Sequence, residues 1–557
     1  MKRWTVGVCG LLTLGLALNG VLLGQNAAKK RGPQLSGFFD FKEAISEFEL
    51  GLGNVSKLSC TVGTATQPGI YSGNDLLDCD AEVPHNETTI AINPNNPNHE
   101  IGGYHSYQRV QVGSVIHQHI FGTASVSFDG GQNWQEVVPS PSPFEFTGDP
   151  ALAFDSNARI YFANIADHEG QGSGNFTGPT VVVTFSDDGG FSWAPQQVVA
   201  KGQGGIDARD NGFEIFQDKD YIAVDTSAAS SHRNRAYVTW SSFQSKFSSG
   251  QSPFFIRVPI MVSFSDDGMN WSPGKEISGF NPACSATISG LPNECDLNQD
   301  SYPAVAPGGK VYVSFENFNT PAENQVMVVS SSDGGTTWSN PVRVATLFDI
   351  NYPVNVDGRA TLTGCQLCYG VKANTAVDNS DSTGNTVYVV WADNKNGGPK
   401  STDPTNTDVF LGKSTDGGAT WRIYTVDNSV NDQFYPWVAV APNGRVDVGY
   451  MDRSYSTGQS VCQYGFTLTR LTFDGVGNIA SKTTARVDTG LSDPGHSRWF
   501  SATTNGNGRF IGDYNGIAVD SNRKTWSLWT DQRNVVANPP SPSRNHGQHA
   551  VGALTAP

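Results

Sequence analysis

Charge is scarce in this 557-residue chain: Asp, Glu, Lys and Arg make up only 16% of it, against roughly 25% in an average globular protein. Lys and Glu are few, and the 52 acidic residues outnumber the 36 Lys and Arg, for a formal net charge of −16. Lys29-Lys30-Arg31 is the one basic cluster. Such a chain repels a phosphate backbone, which excludes nucleic acid as a partner. Long apolar runs are also missing, with one exception. Val6 to Leu23, set between Lys2-Arg3 and Ala27-Ala28, has the layout of a secretory signal peptide. Asn19 and the embedded glycines make it a poor membrane anchor, and Val8 ahead of Cys9 does not suit a lipoprotein. Residues 1–28 therefore read as a signal peptide, 29–86 as a partly irregular N-terminal segment, and 87–557 as the body of a secreted, extracellular or periplasmic monomer. No membrane contact is expected after cleavage.

What remains is rich in Gly, Asn, Ser, Thr and aromatic residues, a β-rich extracellular composition. Apart from Cys9 it holds seven cysteines. In an oxidising compartment the near neighbours pair as Cys60 with Cys79 and Cys284 with Cys295, and one cysteine is left over. Cys365-Gln-Leu-Cys368 has redox spacing but no strand-helix context of a thioredoxin-like unit, so a structural staple is expected. No second ligand pair stands nearby to make it a zinc site.

A short phrase recurs through the body. It reads Ser127-Phe-Asp129-Gly-Gly131-Gln-Asn-Trp134, and again from Ser186 to Trp193, Ser331 to Trp338 and Ser414 to Trp421. A fifth copy, Asp266-Asp-Gly268-Met-Asn-Trp271, has Phe264 where the others have Ser. The Asp can accept backbone N–H bonds in a tight turn, the Gly supplies positive φ, and the Trp buries a large ring between sheets. These are turn-capping devices rather than ligand sites. A second repeat, two β-runs joined by a polar turn, occurs seven times with a shared Ala at 91, 153, 223, 304, 376, 439 and 518. Those spacings of 62 to 81 residues each hold one four-stranded blade. The fold class is thus all-β: a single β-propeller of four-stranded antiparallel blades, seven by this count. The last module stops at its third strand, so its outermost strand is expected from the N-terminal segment, for example near Val55-Ser-Lys-Leu58.

The recurring phrase resembles the Asp box, S-x-D-x-G-x-T-W, of the sialidase-like (BNR repeat) propeller superfamily, and the resemblance covers the chain from about residue 85 onward. Six blades, the number in sialidases, is the alternative it implies.

Alternating strand directions put the turns between first and second strands on the same face as the Asp boxes. The remaining loops, longer and rich in charged and aromatic residues, share the other face, and function is expected there. Four residues before each shared Ala, at the mouth of a central funnel, stand Glu87, Asp149, Lys219, Asp300, Lys372, Tyr435 and Tyr514. Ends of second strands add Tyr104, His105, Tyr107 and Arg109, then Asp393 and Lys395, Asp452 and Arg453, and Asp531 and Arg533. Any one Asp/Arg pair here can be a local ion pair stiffening a loop. The whole ring of unlike charges favours a polar ligand site. His117 and His119 share one side of a strand and could hold a metal or act as bases.

By resemblance, the leading function is glycoside hydrolysis of the sialidase type, an exception to the usual two-carboxylate mechanism. The family's three arginines that clamp a substrate carboxylate would be Arg109, Arg453 and Arg533. Tyr514 or Tyr435 would be the nucleophile, with Glu87 among the catalytic groups, and Asp149 the proton donor; Asp513, Asp531 and His105 would bind substrate. Phe510-Ile-Gly-Asp513-Tyr514 looks like a signature of bacterial secreted members. The family's F-R-I-P motif has its nearest counterpart in Ile256-Arg257-Val258-Pro259. Two other classes stand beside this: a non-catalytic propeller binding glycans or proteins, and a polysaccharide lyase on an acidic glycan, suggested by the first-module histidines. No redox or nucleotide cofactor is suggested. No catalytic metal is expected either, and the one ion considered is a structural calcium in an Asp-rich loop, without EF-hand spacing to support it.

Overall fold

The computed structural model describes residues 32–34, 59–61, 73–79 and 84–557, apart from 113–114, 138, 140–143, 145, 168–177, 204–212, 247–253, 355–358, 368, 399–402, 497–509 and 534–545. Of residues 59–61, 108–112, 115–119, 146, 213, 254 and 255 only the backbone is described. The signal-peptide reading, Val55–Leu58 and Cys368 lie outside these residues.

Seven four-stranded antiparallel blades surround a central axis, which sets aside the count of six. Their innermost strands are His85–Ile92, Phe146–Phe154, Phe213–Val224, Asn298–Val305, Asn374–Val377, Gln433–Val440 and Gly516–Val519. Second strands such as Ile160–Asp167 and Thr525–Asp531 are buried at every position. Each is sandwiched between neighbouring sheets, so both of its faces are buried. The shared alanines of the inner strands are small enough for the crowded centre, and all but Ala91 are half-buried. Adjacent blades bury their hydrophobic faces against each other, as where Val181 and Val183 meet Val238 and Trp240. Among the described residues no helix is long and apolar enough to cross a membrane.

The last blade runs Gly516–Val519, Thr525–Asp531, His549–Thr555 and then Asp75–Leu76. Its outer edge is therefore a two-residue strand from the N-terminal segment, with Leu76 opposite Val551. A second N-terminal strand, Ser59–Thr61, lies outside the first blade against Asn133–Gln135. Both cover edges that would otherwise template association with another chain. Burial lifts the Asp75 carboxyl to about 7 and the Glu214 carboxyl to about 7, and lifts Glu100, which accepts the Trp526 indole N–H at 3.3 Å, to about 8. Each lies above the unfolded value of about 4. On raising the pH the unfolded chain releases these protons first, so stability falls between about pH 4.5 and 8. Thermal melts in EDTA should show a lower Tm at pH 8 than at pH 5, and a Tm that rises across this range would contradict the assignment.

All five Asp boxes form the expected turn. In the first, Ser127 Oγ donates to Asp129 Oδ1 at 3.0 Å and accepts the Gly131 N–H at 2.9 Å, while Asp129 accepts the Asn133 N–H at 2.9 Å. The irregular copy corrects the sequence reading. Ser265, not Phe264, fills the serine role: its Oγ donates to Asp267 at 3.1 Å and accepts the Gly268 N–H at 2.8 Å. One residue has been deleted after the Asp, which shifts the apparent alignment. The tryptophans also differ from expectation. Only Trp134 is fully buried, edge-on to Trp526 at 5.4 Å; the other four are half-buried and cap their own turns, as Trp193 Nε1 does on the Gly190 carbonyl at 2.9 Å.

A further repeat was invisible in the sequence. His99, Arg159, Arg235 and Lys310, each just ahead of a second strand, reach carbonyls of the next blade's box at Gly189, Asp267, Gly334 and Gly417. These links place the short turns and the Asp boxes on one face. Cys284 and Cys295 are bonded, and so is Cys365 with Cys462, 97 residues away. The Cys365-x-x-Cys368 staple is therefore not local; it ties the approach to the fifth blade to a loop of the sixth. Cys79 is disulfide-bonded, while the side chain of Cys60 is outside the described set.

Candidate functional site

The funnel-mouth residues owe their placement to one repeated irregularity. In five blades the inner strand carries an extra residue relative to its neighbour, between Asn86 and Thr89, Gly148 and Ala151, Asp218 and Tyr221, Gln299 and Tyr302, and Phe434 and Trp437. The first residue of each bulge is left-handed: Glu87 (φ 53), Asp149 (φ 51), Lys219 (φ 55), Asp300 (φ 61) and Tyr435 (φ 48). Such a backbone costs about 1–3 kcal/mol for a residue other than Gly, and bulges re-aim side chains next to sites. Five strained polar residues at one level of a ring indicate a constraint imposed by function or by their neighbours.

Glu87, Asp149, Lys219, His105 and Tyr514 form one cluster, each at most 1% exposed. His105 Nδ1 meets Asn86 Oδ1 at 3.0 Å, and its Nε2 accepts the Asp149 backbone N–H at 2.8 Å and lies 3.3 Å from Glu87 Oε2. Asn86 Nδ2 in turn donates to Gln548 Oε1 at 2.9 Å. This pattern fixes His105 as the neutral tautomer with its proton on Nδ1, in agreement with a pKa driven down to about 3 by burial and then by the Lys219 charge. Burial, then the Asp149 charge, pushes the Glu87 carboxyl well above its usual range. Lys219 Nζ stands 3.8 Å from Asp149 Oδ2 and 3.6 Å from the Tyr514 ring centroid. Tyr514 donates its hydroxyl proton to the Pro150 carbonyl at 2.9 Å, and burial and then Glu87 raise its pKa well above 10. Its hydroxyl is thus buried and bonded within the cluster.

Gly512 locks this cluster to its neighbour. At φ 89 its backbone lies against Glu87, and a Cβ there would stand 2.5 Å from Glu87 N and 2.7 Å from Glu87 Cγ. The adjacent Asp513 N–H reaches Glu87 Oε1 at 3.2 Å. Gly512→Ala is expected to destabilise by about 1–3 kcal/mol, read by urea unfolding; an unchanged midpoint would show that the contact does not constrain the fold.

Asp513 also lines an open pocket on the face opposite the Asp boxes, together with Asp300, Glu316, Asp349, Arg359, Tyr369 and Lys372. Lys372 Nζ donates to Asp300 Oδ2 at 2.8 Å. Asn324 Nδ2 donates to Glu316 Oε1 at 3.3 Å and also to Asp349 Oδ2. Burial, then the Asp349 charge, holds the Glu316 carboxyl well above its usual range. A carboxyl with a raised pKa beside a second carboxyl is a candidate acid/base pair. The sequence reading passed over both. Glu316 pairs with Gln299 as His105 pairs with Asn86, so it holds the strand position that singled out His105. That register was the missed signal; Asp349 sits in an irregular connection that carries none.

The remaining site residues are dispersed. Tyr435 is buried, its ring stacked on Tyr369 at 5.8 Å, which places it behind the pocket wall. Arg453 is fully buried and paired with Asp432 at 2.5 Å, not with the adjacent Asp452. Arg533 holds Asp531 at 2.6 Å, and Asp531 also accepts the Trp529 indole N–H at 2.9 Å. Both guanidiniums are thus engaged by carboxylates of this chain. The side chains of Arg109, His117 and His119 are outside the described set. Arg257, of the F-R-I-P look-alike, is engaged by Glu276 at 2.6 Å and Glu294 at 2.7 Å.

No protein-family model matches the chain, and no curated protein matches it in sequence. Solved structures similar to it include the NanB sialidase of Streptococcus pneumoniae, 10% identical, covering 91% of this chain and 99% of that one at a TM-score of 0.41. An α-L-arabinofuranosidase of Fusarium graminearum is 12% identical over 74% of this chain and 96% of its own, TM-score 0.38. An ulvan lyase representing a new polysaccharide lyase family is 12% identical over 66% and 76%, TM-score 0.39. At that level of likeness none of them lends a residue role to this chain.

Proposed function

We propose that the protein is a secreted, carbohydrate-active propeller that binds a saccharide in the pocket between the fourth, fifth and seventh blades and cleaves a glycosidic bond there. The observation that carries this reading is the Glu316–Asp349 pair: a carboxyl that burial pushes well above its usual range, beside a second one, on the wall of a pocket. Glu316 protonates the leaving oxygen, and Asp349 serves as the second carboxylate. Asp300, Asp513 and Lys372 offer hydrogen-bonding groups to sugar hydroxyls. The wall is acidic on balance, with Asp300, Glu316, Asp349 and Asp513 against Arg359 and Lys372, and Arg453 and Arg533 are committed elsewhere. A neutral glycan therefore suits it better than a sialoside or a uronate polymer. The Glu87, Asp149, Lys219 and His105 cluster acts behind the wall, where it positions Asp513.

A second reading, a propeller that binds a glycan without cleaving it, is favoured by the complete burial of that inner cluster. Incubating the secreted protein with neutral glycans, sialosides and uronate polymers separates the readings. New reducing ends from neutral glycans support hydrolysis, and an unsaturated product from uronates would show a lyase. Saturable binding without any product would leave the non-catalytic reading.

A further inference from the structure

The seam where the ring closes holds a side-chain group that the pocket does not use. Asp78 follows the edge strand Asp75–Leu76, His85 opens the first inner strand, and His549 opens the third strand of the last blade. All three side chains are 0% exposed. Asp78 Oδ2 lies 3.0 Å from His549 Nδ1 and 3.1 Å from His85 Nδ1, and it also accepts the Ala550 N–H at 2.9 Å. One oxygen of each carboxylate offers about two lone pairs, yet three nitrogens crowd this one. A cation bound by both imidazole lone pairs and by Oδ2 resolves the crowding, because Oδ2 then serves only the ion and Ala550.

The geometry suits such an ion. One ligand atom from each residue lies within 4.8 Å of the others. With metal bonds of about 2.0–2.2 Å, ligand atoms 3.0–3.1 Å apart subtend angles of roughly 90–100°, a range open to tetrahedral or octahedral coordination. Two imidazoles and one carboxylate select a borderline divalent transition metal over calcium or magnesium, which take all-oxygen sets. The other buried trio, Glu87, His105 and Asp149, does not compete. There the Nε2 lone pair accepts the Asp149 N–H and Nδ1 is engaged by Asn86.

We propose that Asp78, His85 and His549 bind one zinc-class divalent ion that clamps the two ends of the propeller together. The ion bridges three stretches of chain that meet only in the closed ring, with Asp78 and His549 separated by 471 positions. It therefore binds the folded state selectively and stabilises it.

The test uses the full-length secreted protein, stripped with a chelator and dialysed, then titrated with Zn2+ alone. One equivalent is expected to bind, raising Tm by roughly 2 °C or more, and His549→Gln is expected to weaken binding at least 10-fold. X-ray absorption of the Zn2+-loaded wild type should show two imidazole ligands, a readout that survives even if the variant fails to fold. Absence of stoichiometric uptake, or an absorption spectrum lacking paired imidazoles, overturns the assignment. Neither result depends on whether the pocket cleaves a glycan.

Discussion

Arg453→Ala is expected to lower stability by about 3–5 kcal/mol, the usual cost of removing one partner of a buried ion pair. The guanidinium is fully buried, bonded through Nη1 to Asp432 at 2.5 Å, and its Nη2 donates to the carbonyls of Thr363 and Gln459, each at 2.8 Å. Its loss strands the Asp432 charge where water cannot reach, and frees the loop that the Cys365–Cys462 bond anchors. Urea unfolding should show the full drop, while glycan affinity of the surviving folded protein changes little. The converse outcome, an intact midpoint with binding abolished, would restore Arg453 to the carboxylate clamp implied by the family resemblance.

Glu316→Gln is expected to cut kcat on unactivated glycosides by about 10²–10⁴, the range for loss of a positioned proton donor, with KM little changed because the amide keeps the shape. The loss should shrink on aryl glycosides whose leaving group needs no protonation. Because Glu316 must be protonated to act and its pKa is raised, wild-type activity should persist past the ordinary carboxylate range before it falls on the alkaline side; the variant loses that limb. Glu316 and Asp349 both reach one amide nitrogen of Asn324, closer than the roughly 6.5–9.5 Å that admits a water in inverting enzymes. Retention of anomeric configuration, seen by NMR of the first product, is the expected course. Full activity of Glu316→Gln on natural linkages would remove the pair from the chemistry.

The architecture was legible because its signals are local and repeated. Ser127 to Trp134 encodes a whole turn within eight residues, and one Ala every 62 to 81 residues marks each inner strand. The ring at Glu87, Asp149, Lys219 and Asp300 was found by its fixed offset from that Ala. Its left-handed bulges were not, since charged residues give no hint of positive φ. Arg453 was named for a carboxylate clamp by resemblance and stands beside Asp452 in sequence, whereas the chain brings Asp432 to it across the strand pair. The closing strand is two residues long, too short to carry a period. Asp349 gained its place through a long connection whose path depends on the finished fold.

The edge strand Asp75–Leu76 has a consequence for biogenesis. It is translated about 475 residues ahead of its partner around Val551. At about 5–20 residues per second, it waits on the order of half a minute with its hydrogen-bonding groups unmet, while six blades can already stack. Completion therefore waits for the third strand of the seventh blade. A ribosome that stops short of His549 releases a ring that cannot shut, however sound its other modules, and quality control would meet an open arc instead of a subtly damaged propeller.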